Sequence, residues 1–241
     1  MIVTAVVHCC PNCHSTNILK NDHTCYGAQR CLCHDCGKTR VISRRYRPPL
    51  ARQAMIERAL RERLSLCGIC RVFRVSMDYL LGRIRSLVAR LPDLKQTLMP
   101  SQPDDVLELD EMHSFVGRKR QKRWLWIALC RRTRQVVAFT IGDRSEKSCR
   151  RLFRRIPEGY RTAATYSDFW AAYERVFQTG RHRCVGKDSG ETAHVERWNC
   201  TLRQRLSRYV RRSLAFSKKD YNHHLFTKNF ITHYNLERIN T

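Results

Sequence analysis

Two cysteine pairs near the N-terminus constrain this chain most. Cys10-Pro-Asn-Cys13 and Cys33-His-Asp-Cys36 are both Cys-x-x-Cys, with nineteen residues between them. Each pair can close a tight turn that aims two thiolates at one ion, and two such turns supply the four sulfurs of a tetrahedral zinc site. The stretch between the pairs is too short for a core of its own, so one structural Zn²⁺ is expected to hold it together. Gly37 follows the second pair, where a residue without Cβ eases backbone approach to the sulfur. The register has alternatives: Cys9 could replace Cys10, and Cys31 could replace Cys33. The total of 13 cysteines is odd, which argues against a fully paired disulfide framework. Met1–Val7 has no basic leader and is too short for a secretory signal, so the expected compartment is the reducing cytoplasm, at the nucleoid. Cys67-Gly-Ile-Cys70 has no fourth pair nearby and reads as two buried residues of a helix.

The net charge is +25, from 46 Lys and Arg against 21 Asp and Glu in 241 residues. The excess runs through both halves of the chain, which excludes a basic tail on a neutral body. So basic a surface seeks a polyanion, and nucleic acid is the commonest. Apolar runs such as Trp124–Cys130 are far too short to span a bilayer, so no membrane partner is expected.

Pro48 and Pro49 punctuate the chain, and residues 51–90 are helical in pattern. Ala51–Leu64 is an amphipathic helix, Leu66–Phe73 a second, and Arg74-Val-Ser76 a turn. Ser76 suits an N-cap and Asp78 the positive end of a third helix, Met77–Leu87, which carries Tyr79, Arg83 and Arg85. This is the layout of a helix-turn-helix whose third helix enters the major groove, although a packing bundle shares it. Leu91-Pro-Asp93 and Met99–Asp105 read as linker.

From Val106 the pattern changes. Val106–Met112 alternates like a strand, with Leu107 and Leu109 on one face and Glu108 and Asp110 on the other. Lys122–Leu129 and Gln135–Ile141 read as a hairpin, Lys147–Ile156 as a helix, Arg161–Tyr166 as a strand ending in Ser167-Asp168, and Phe169–Phe177 as a helix. A short strand over His182–Gly186 and a long helix from Thr192 to about Val210 follow. Three strands, helix, strand, helix, short strand, long helix is the element order of a ribonuclease-H-like fold. Asp110, Asp168 and Glu196 fall on its first strand, at the end of its fourth, and on its late helix.

A phosphodiester is anionic and repels nucleophiles, and a pair of Mg²⁺ or Mn²⁺ ions can activate the attacking oxygen and stabilise the leaving one. Mg²⁺ prefers carboxylate oxygen, which gives an acid cluster a use inside a basic protein. Glu108 or Glu111 could replace Asp110, Asp168 could instead cap its helix, and Glu196 could be a solvated helix residue. On the last helix Val195, Trp198, Leu202, Leu206 and Tyr209 form an apolar stripe, bordered by Glu196, Asn199 and Arg203. Arg197, Arg203, Arg205, Arg208, Arg211, Arg212, Lys218 and Lys219 follow with no acid among them, and read as a phosphate-tracking face.

With these motifs in place the chain resembles the transposases of the insertion-sequence-one family. The resemblance rests on the two cysteine pairs, Asp110-Glu111 with Phe115-Val-Gly117, Arg123-Trp-Leu125, and Ser167-Asp168 with Trp170 and Tyr173. Its most specific stretches are Val195-Glu-Arg-Trp-Asn199 with Leu202-Arg-Gln204, and Arg212-Ser-Leu-Ala-Phe-Ser-Lys218. It implies an Asp-Asp-Glu triad of Asp110, Asp168 and Glu196, with Arg203 one face along. It also implies binding of inverted-repeat ends, strand cleavage and transfer into target DNA, and a homodimer or larger assembly on DNA. The expected fold class is α+β multidomain. It comprises a small N-terminal zinc ribbon (1–47), a helix-turn-helix module (48–91), a linker (92–105) and a C-terminal ribonuclease-H-like α/β domain with a mixed sheet (106–241). A non-enzymatic DNA-binding regulator and a structure-selective nuclease remain as alternatives.

Overall fold

A computed structural model describes residues 7–24, 28–41, 48–178, 180–210 and 213–239. The chain divides into two compact units, Met1–Leu50 and Ala51–Thr241. In the first, β1 (Ile18–His23), β2 (Gln29–Cys33) and β3 (Thr39–Val41) form an antiparallel sheet in that order. Between Val7 and Val41 the buried described residues are Cys10, Cys31 and Cys33. Three cysteines make no hydrophobic core, so this sheet depends on something other than apolar burial.

The second unit holds the mixed sheet. Its strands are β4 (Val106–Phe115), β5 (Lys122–Cys130), β6 (Val136–Gly142), β7 (Ala164–Ser167) and β8 (His182–Cys184), in the order β6-β5-β4-β7-β8. β4, β5 and β6 are antiparallel, while β7 runs parallel to both β4 and β8. Three helices precede the sheet: α1 (Leu50–Ala59), α2 (Leu66–Phe73) and α3 (Met77–Ala89). Four are interleaved with it or follow it: α4 (Glu146–Arg155), α5 (Ala171–Val176), α6 (Ala193–Arg205) and α7 (Asp220–Ile239).

The strand alternation divides the core in two. Leu107, Leu109, Trp126 and Ala128 bury against Cys149, Leu152, Tyr173 and Phe177 of the α4–α5 layer. Met112, Leu125 and Ile127 bury on the other face with Val195, Trp198 and Leu202 of α6 and Phe230 and Ile231 of α7. Ile56, Ile69, Leu80 and Ile84 of α1–α3 belong to this second cluster. The helices expected as a separate module therefore share a core with the sheet. Ile56, Ile69 and Leu80 are wholly buried there, each contributing about 1.5–3 kcal/mol.

The expected linker is also pinned. Leu94–Thr97 forms a 3₁₀ turn, and Thr97 is fully buried. Gln135 Nε2 donates to the carbonyls of Thr97 (2.8 Å) and Asn235 (3.0 Å), Met99 N donates to Gln135 Oε1 (2.8 Å), and Asn235 Nδ2 donates to Thr97 Oγ1 (3.1 Å). Buried polar groups that satisfy one another this fully fix a segment in one place.

Other boundaries differ from expectation for local reasons. α1 stops at Ala59, short of the expected Leu64, and Ser65 is extended as the cap of α2, its Oγ accepting from Gly68 N at 3.0 Å. α6 ends at Arg205, and Leu206 and Tyr209 bury through a 3₁₀ turn, Ser207–Tyr209, instead of a continued helix. A 3₁₀ turn after Pro157 delays β7 to Ala164. α7 was not expected at all. Among the described residues no helix is long and apolar enough to cross a membrane.

Candidate metal centre and active site

Both cysteine pairs fold alike. His14 N donates to the Cys10 carbonyl and Gly37 N to the Cys33 carbonyl, each at 2.9 Å. The residue that closes each turn is left-handed, with φ +59° at His14 and +67° at Gly37. The two turns bring the Sγ atoms of Cys10, Cys13, Cys33 and Cys36 within 4.8 Å of one another. Cys10 and Cys36 are 3.7 Å apart and Cys13 and Cys33 are 3.5 Å apart. Four ligands at the zinc–sulfur distance of about 2.3 Å on a tetrahedron would be roughly 3.8 Å apart, so the quartet fits a zinc ion. Cys9 and Cys31 lie outside the quartet. Backbone N–H groups of Cys13 and Asn12 lower the Cys10 thiol, while the sulfurs of Cys33, Cys36 and Cys10 raise the Cys13 thiol, so the crowded quartet does not hold four thiolates by itself. Cys67 is exposed and Cys70 half-buried, so the third pair is not the buried one its sequence suggests.

The acidic site is built on the central strand. Asp110 sits on β4, and Asp168 follows the last residue of β7. The parallel register pairs Val106 with Ala164, Leu107 with Thr165 and Glu108 with Tyr166. Continued by two residues, it sets Asp168 level with Asp110. The backbone N–H of Glu111 donates to Asp110 Oδ1 at 2.8 Å and that of Trp170 to Asp168 Oδ1 at 3.1 Å.

Glu196 arrives on the first turn of α6, exposed, with Thr192 Oγ1 donating to its Oε1 at 3.2 Å. One turn along, Asn199 is buried and its Nδ2 donates to Asp110 Oδ2 at 2.5 Å. Burial pushes the Asp110 carboxyl up to about 6, and the negative charges of Asp168 and Glu196 push the same way. The Asp110 carboxylate thus feels both other acids. Among the described residues the cysteine quartet is the one group whose ligand atoms close within 4.8 Å, so the three carboxylates stand wider apart.

Glu108 and Glu111, the alternatives to Asp110, are both engaged. Glu108 is fully buried and accepts from His194 N (2.9 Å) and Val195 N (3.0 Å), the open end of α6. It also pairs with His194 Nδ1 at 2.6 Å and Arg131 Nε at 2.8 Å. A carboxylate at a helix N-terminus satisfies orphan N–H groups and the helix dipole together. It fastens α6 to β4 two residues from Asp110. Glu111 points to the opposite face, where Arg144 Nε and the Tyr173 hydroxyl each donate to it at 2.8 Å. Burial pushes its carboxyl up to about 7. The Arg144 guanidinium lies 4.8 Å from the Trp124 ring and 4.1 Å from the Trp170 ring, which braces the Asp168 loop from behind.

The basic residues divide. Arg85 and Arg197 are exposed, Arg203 and Tyr79 half-buried, and Tyr79 packs against the core. Arg83 turns to Glu57 at 2.6 Å. Arg205 bridges Glu62 and Glu237, both at 3.0 Å. Arg208 stacks 3.5 Å from the Phe226 ring centre, donates to Ser217 Oγ at 3.0 Å, and is lowered by burial to about 10. Arg83, Arg205 and Arg208 are therefore held by the fold rather than arrayed for phosphate, because long cationic side chains lay their stems along apolar surface. Arg211 and Arg212 lie outside the described residues. Sequence reasoning placed Glu108 on the right face but not in its capping role. It missed Arg131 and Arg144, whose only signal was a basic hairpin turn and a basic residue ahead of a helix.

An acidic cluster on the central strand of a mixed sheet, in a chain with a cysteine quartet, defines a class that comparison with known proteins narrows. Residues 106–237, which include all three acids, match the IS1 transposase family. The chain is 37% identical over 113 residues to the insertion element iso-IS1n protein InsB of Shigella dysenteriae, covering 47% of this chain and 83% of that protein. It is 36% identical over 111 residues to the insertion element IS1 protein InsB of Shigella flexneri (46% and 82%). For the insertion element IS1 protein InsB of Shigella sonnei it is 34% identical over 111 residues (46% and 82%). The chain belongs to the IS1 transposase family.

Proposed function

We propose that this protein binds the terminal inverted repeats of an insertion sequence and cleaves and joins DNA strands at Asp110, Asp168 and Glu196. The observation that carries the proposal is the Asn199–Asp110 hydrogen bond, which ties the Glu196 helix to the strand of the first acid. The sheet order β6-β5-β4-β7-β8 supports a ribonuclease-H-like fold for the catalytic part.

The acids fit divalent cations. Asp110 is largely desolvated and faces the negative charges of Asp168 and Glu196, and the buried Asn199 Oδ1 beside it has no hydrogen-bond partner. Carboxylate and amide oxygens are the hard donors that Mg²⁺ and Mn²⁺ take. Two such ions, held by the three acids, supply Lewis acidity for the attacking and leaving oxygens. The chain's own residues do the positioning. Glu108 fixes the start of α6, Asn199 orients Asp110, and the Trp170 N–H orients Asp168. Arg85 is exposed on α3, where its charge can attract the backbone of DNA.

The chemistry is two displacements at phosphorus. Water bonds to phosphorus as its bond to the 3′ oxygen breaks, which frees a 3′-hydroxyl. That hydroxyl then bonds to a target phosphorus and displaces the target's 3′ oxygen. The cysteine quartet would hold one structural zinc, and the three helices would contribute end recognition. Two ends must be joined together, which calls for a homodimer or larger assembly on DNA.

A strand-transfer assay on labelled element ends tests this. Wild-type protein yields joined product, and Asp168→Asn yields neither cut nor joined strands while still binding the ends. Cut strands without joined ones would indicate a nuclease, and binding alone by the wild type would indicate a regulator. Loss of binding in Asp168→Asn would make that residue structural.

A further inference from the structure

Three arginines with no carboxylate partner converge on a cavity of about 280 Å³ beside α6. Arg134 comes from the β5–β6 turn, Arg197 from α6 and Arg238 from α7, and His194, Trp198 and Tyr234 complete the walls that matter here. None of the ion pairs among the described residues involves Arg134, Arg197 or Arg238. Their neighbours behave differently. In the same turn Arg131 pairs with Glu108 and Glu191, and Arg132 with Asp105. On the same helix Arg205 pairs with two glutamates.

Arg134 and Arg238 are half-buried while Arg197 stands exposed at the rim, and Arg134 holds a left-handed φ of +58°. The Arg238 guanidinium lies 5.0 Å from the Tyr234 ring, whose face steadies it without neutralising it. Like charges gathered in a partly desolvated hollow repel unless an anion joins them. The cavity is several times the ~30 Å³ share of a water molecule, ample for a hydrated phosphate group.

Its position relative to the acids is set by helical spacing. Ala193, His194, Arg197 and Thr201 line the cavity, whereas Glu196, Asn199 and Arg203 recur on another side of α6, the side bonded to Asp110. A helix with its side chains is about 10–12 Å across. A phosphate in the cavity is thus a different one from the phosphate at Asp110.

We infer that Arg134, Arg197 and Arg238 form a second phosphodiester-backbone site, on a different side of α6 from the Asn199–Asp110 contact, which grips duplex DNA without reading its sequence. The inference rests on the proposed DNA-transposase reading and adds a separate contact to it.

The test is the salt dependence of duplex DNA binding by the full chain, followed by fluorescence anisotropy between about 50 and about 200 mM salt. Each neutralised phosphate contributes about 0.9 to the slope of log affinity against log salt. The triple variant Arg134→Gln, Arg197→Gln, Arg238→Gln lowers that slope by about 3. The Arg→Lys triple restores it, which separates lost charge from lost structure. An equally charge-depleted control, Lys95→Gln, Arg154→Gln, Arg181→Gln, changes exposed residues remote from the cavity in sequence. A cavity triple that keeps the control's slope overturns the inference and leaves the transposase reading standing. Wild-type protein that binds no duplex overturns both. Thermal stabilisation by inorganic phosphate alone, lost in the triple while the DNA slope stays unchanged, would make the site one for free anions and also overturn it.

Discussion

Asn199 Nδ2 reaches Asp110 Oδ2 across the gap between α6 and β4, at 2.5 Å. The bond couples the residue one turn beyond Glu196 to the mid-strand acid. Asn199→Ala is expected to cost about 1–3 kcal/mol, the range for an unsatisfied buried group. Strand cleavage should fall tenfold or more, because Asp110 loses the donor that orients it. Urea unfolding and a cleavage assay check the two effects together. Cleavage at the wild-type rate would show that the contact is only structural.

Glu108 fastens the start of α6 to β4. It is fully buried and gathers two backbone N–H groups, an imidazole and a guanidinium. Glu108→Ala leaves Arg131 without one of its two carboxylates and the helix end without its acceptor. The expected loss is about 3–5 kcal/mol, read as a lower urea midpoint. A loss under about 1 kcal/mol, the range of an exposed pair, would contradict the capping role.

Metal analysis of purified protein should give one zinc per chain, and Cys36→Ser should lose it. Among the described residues between Val7 and Val41 only cysteines are buried, so chelation should raise hydrogen exchange across β1–β3. The same treatment should leave the strands β4–β7 protected, since their unit has its own core. Unchanged exchange in β1–β3 after the metal is removed would rule out a metal-dependent fold there.

His223 offers a pH test. It is wholly buried between Ser114 Oγ and Ser217 Oγ, each 3.1 Å away, and burial pushes it down to about 4 from the ordinary 6.5. Below pH 6.5 the unfolded chain takes up a proton that the folded chain refuses. Its contribution is therefore full above about 6.5 and declines as pH falls towards 4, by about 3 kcal/mol in all. Unfolding free energies of wild type and His223→Gln, compared from pH 7 to pH 4.5, should converge as the pH drops. A constant difference would contradict the buried neutral imidazole.

The legibility of this fold in its sequence follows the physics of each element. β4 was readable because apolar and acidic residues alternate from Leu107 to Asp110, a period of two, before Glu111 and Met112 exchange the faces. α2 was readable over Leu66–Phe73, and α3 from its Ser76 cap. α7 was not, because it buries Thr227, Asn229, Thr232 and Asn235 alongside Leu225, Phe226 and Phe230. A helix surrounded by protein has no apolar stripe, and Asn235 is satisfied only by partners remote in sequence, Thr97 and Val136. The candidate acids could be picked out by spacing, whereas their supports could not. Arg205 and Arg208 look like phosphate ligands in a list of basic residues, yet only packing reveals Glu237 and Phe226 as their partners. The expected linker was misread for the same reason, since Gln135 and Asn235 come from far along the chain.

Convergence of Asp110, Asp168 and Glu196 on shared divalent cations is tested most directly by iron-directed cleavage of the polypeptide. Fe²⁺ accepts the same oxygen ligands as Mg²⁺ and Mn²⁺, and with ascorbate and peroxide it cuts backbone within reach of where it is bound. Wild-type protein should be cut near residues 110, 168 and 196 together, with Mg²⁺ protecting all three and Asp110→Asn abolishing all three. Cuts near 110 and 168 without one near 196, or cuts that Mg²⁺ fails to suppress, would contradict a common site.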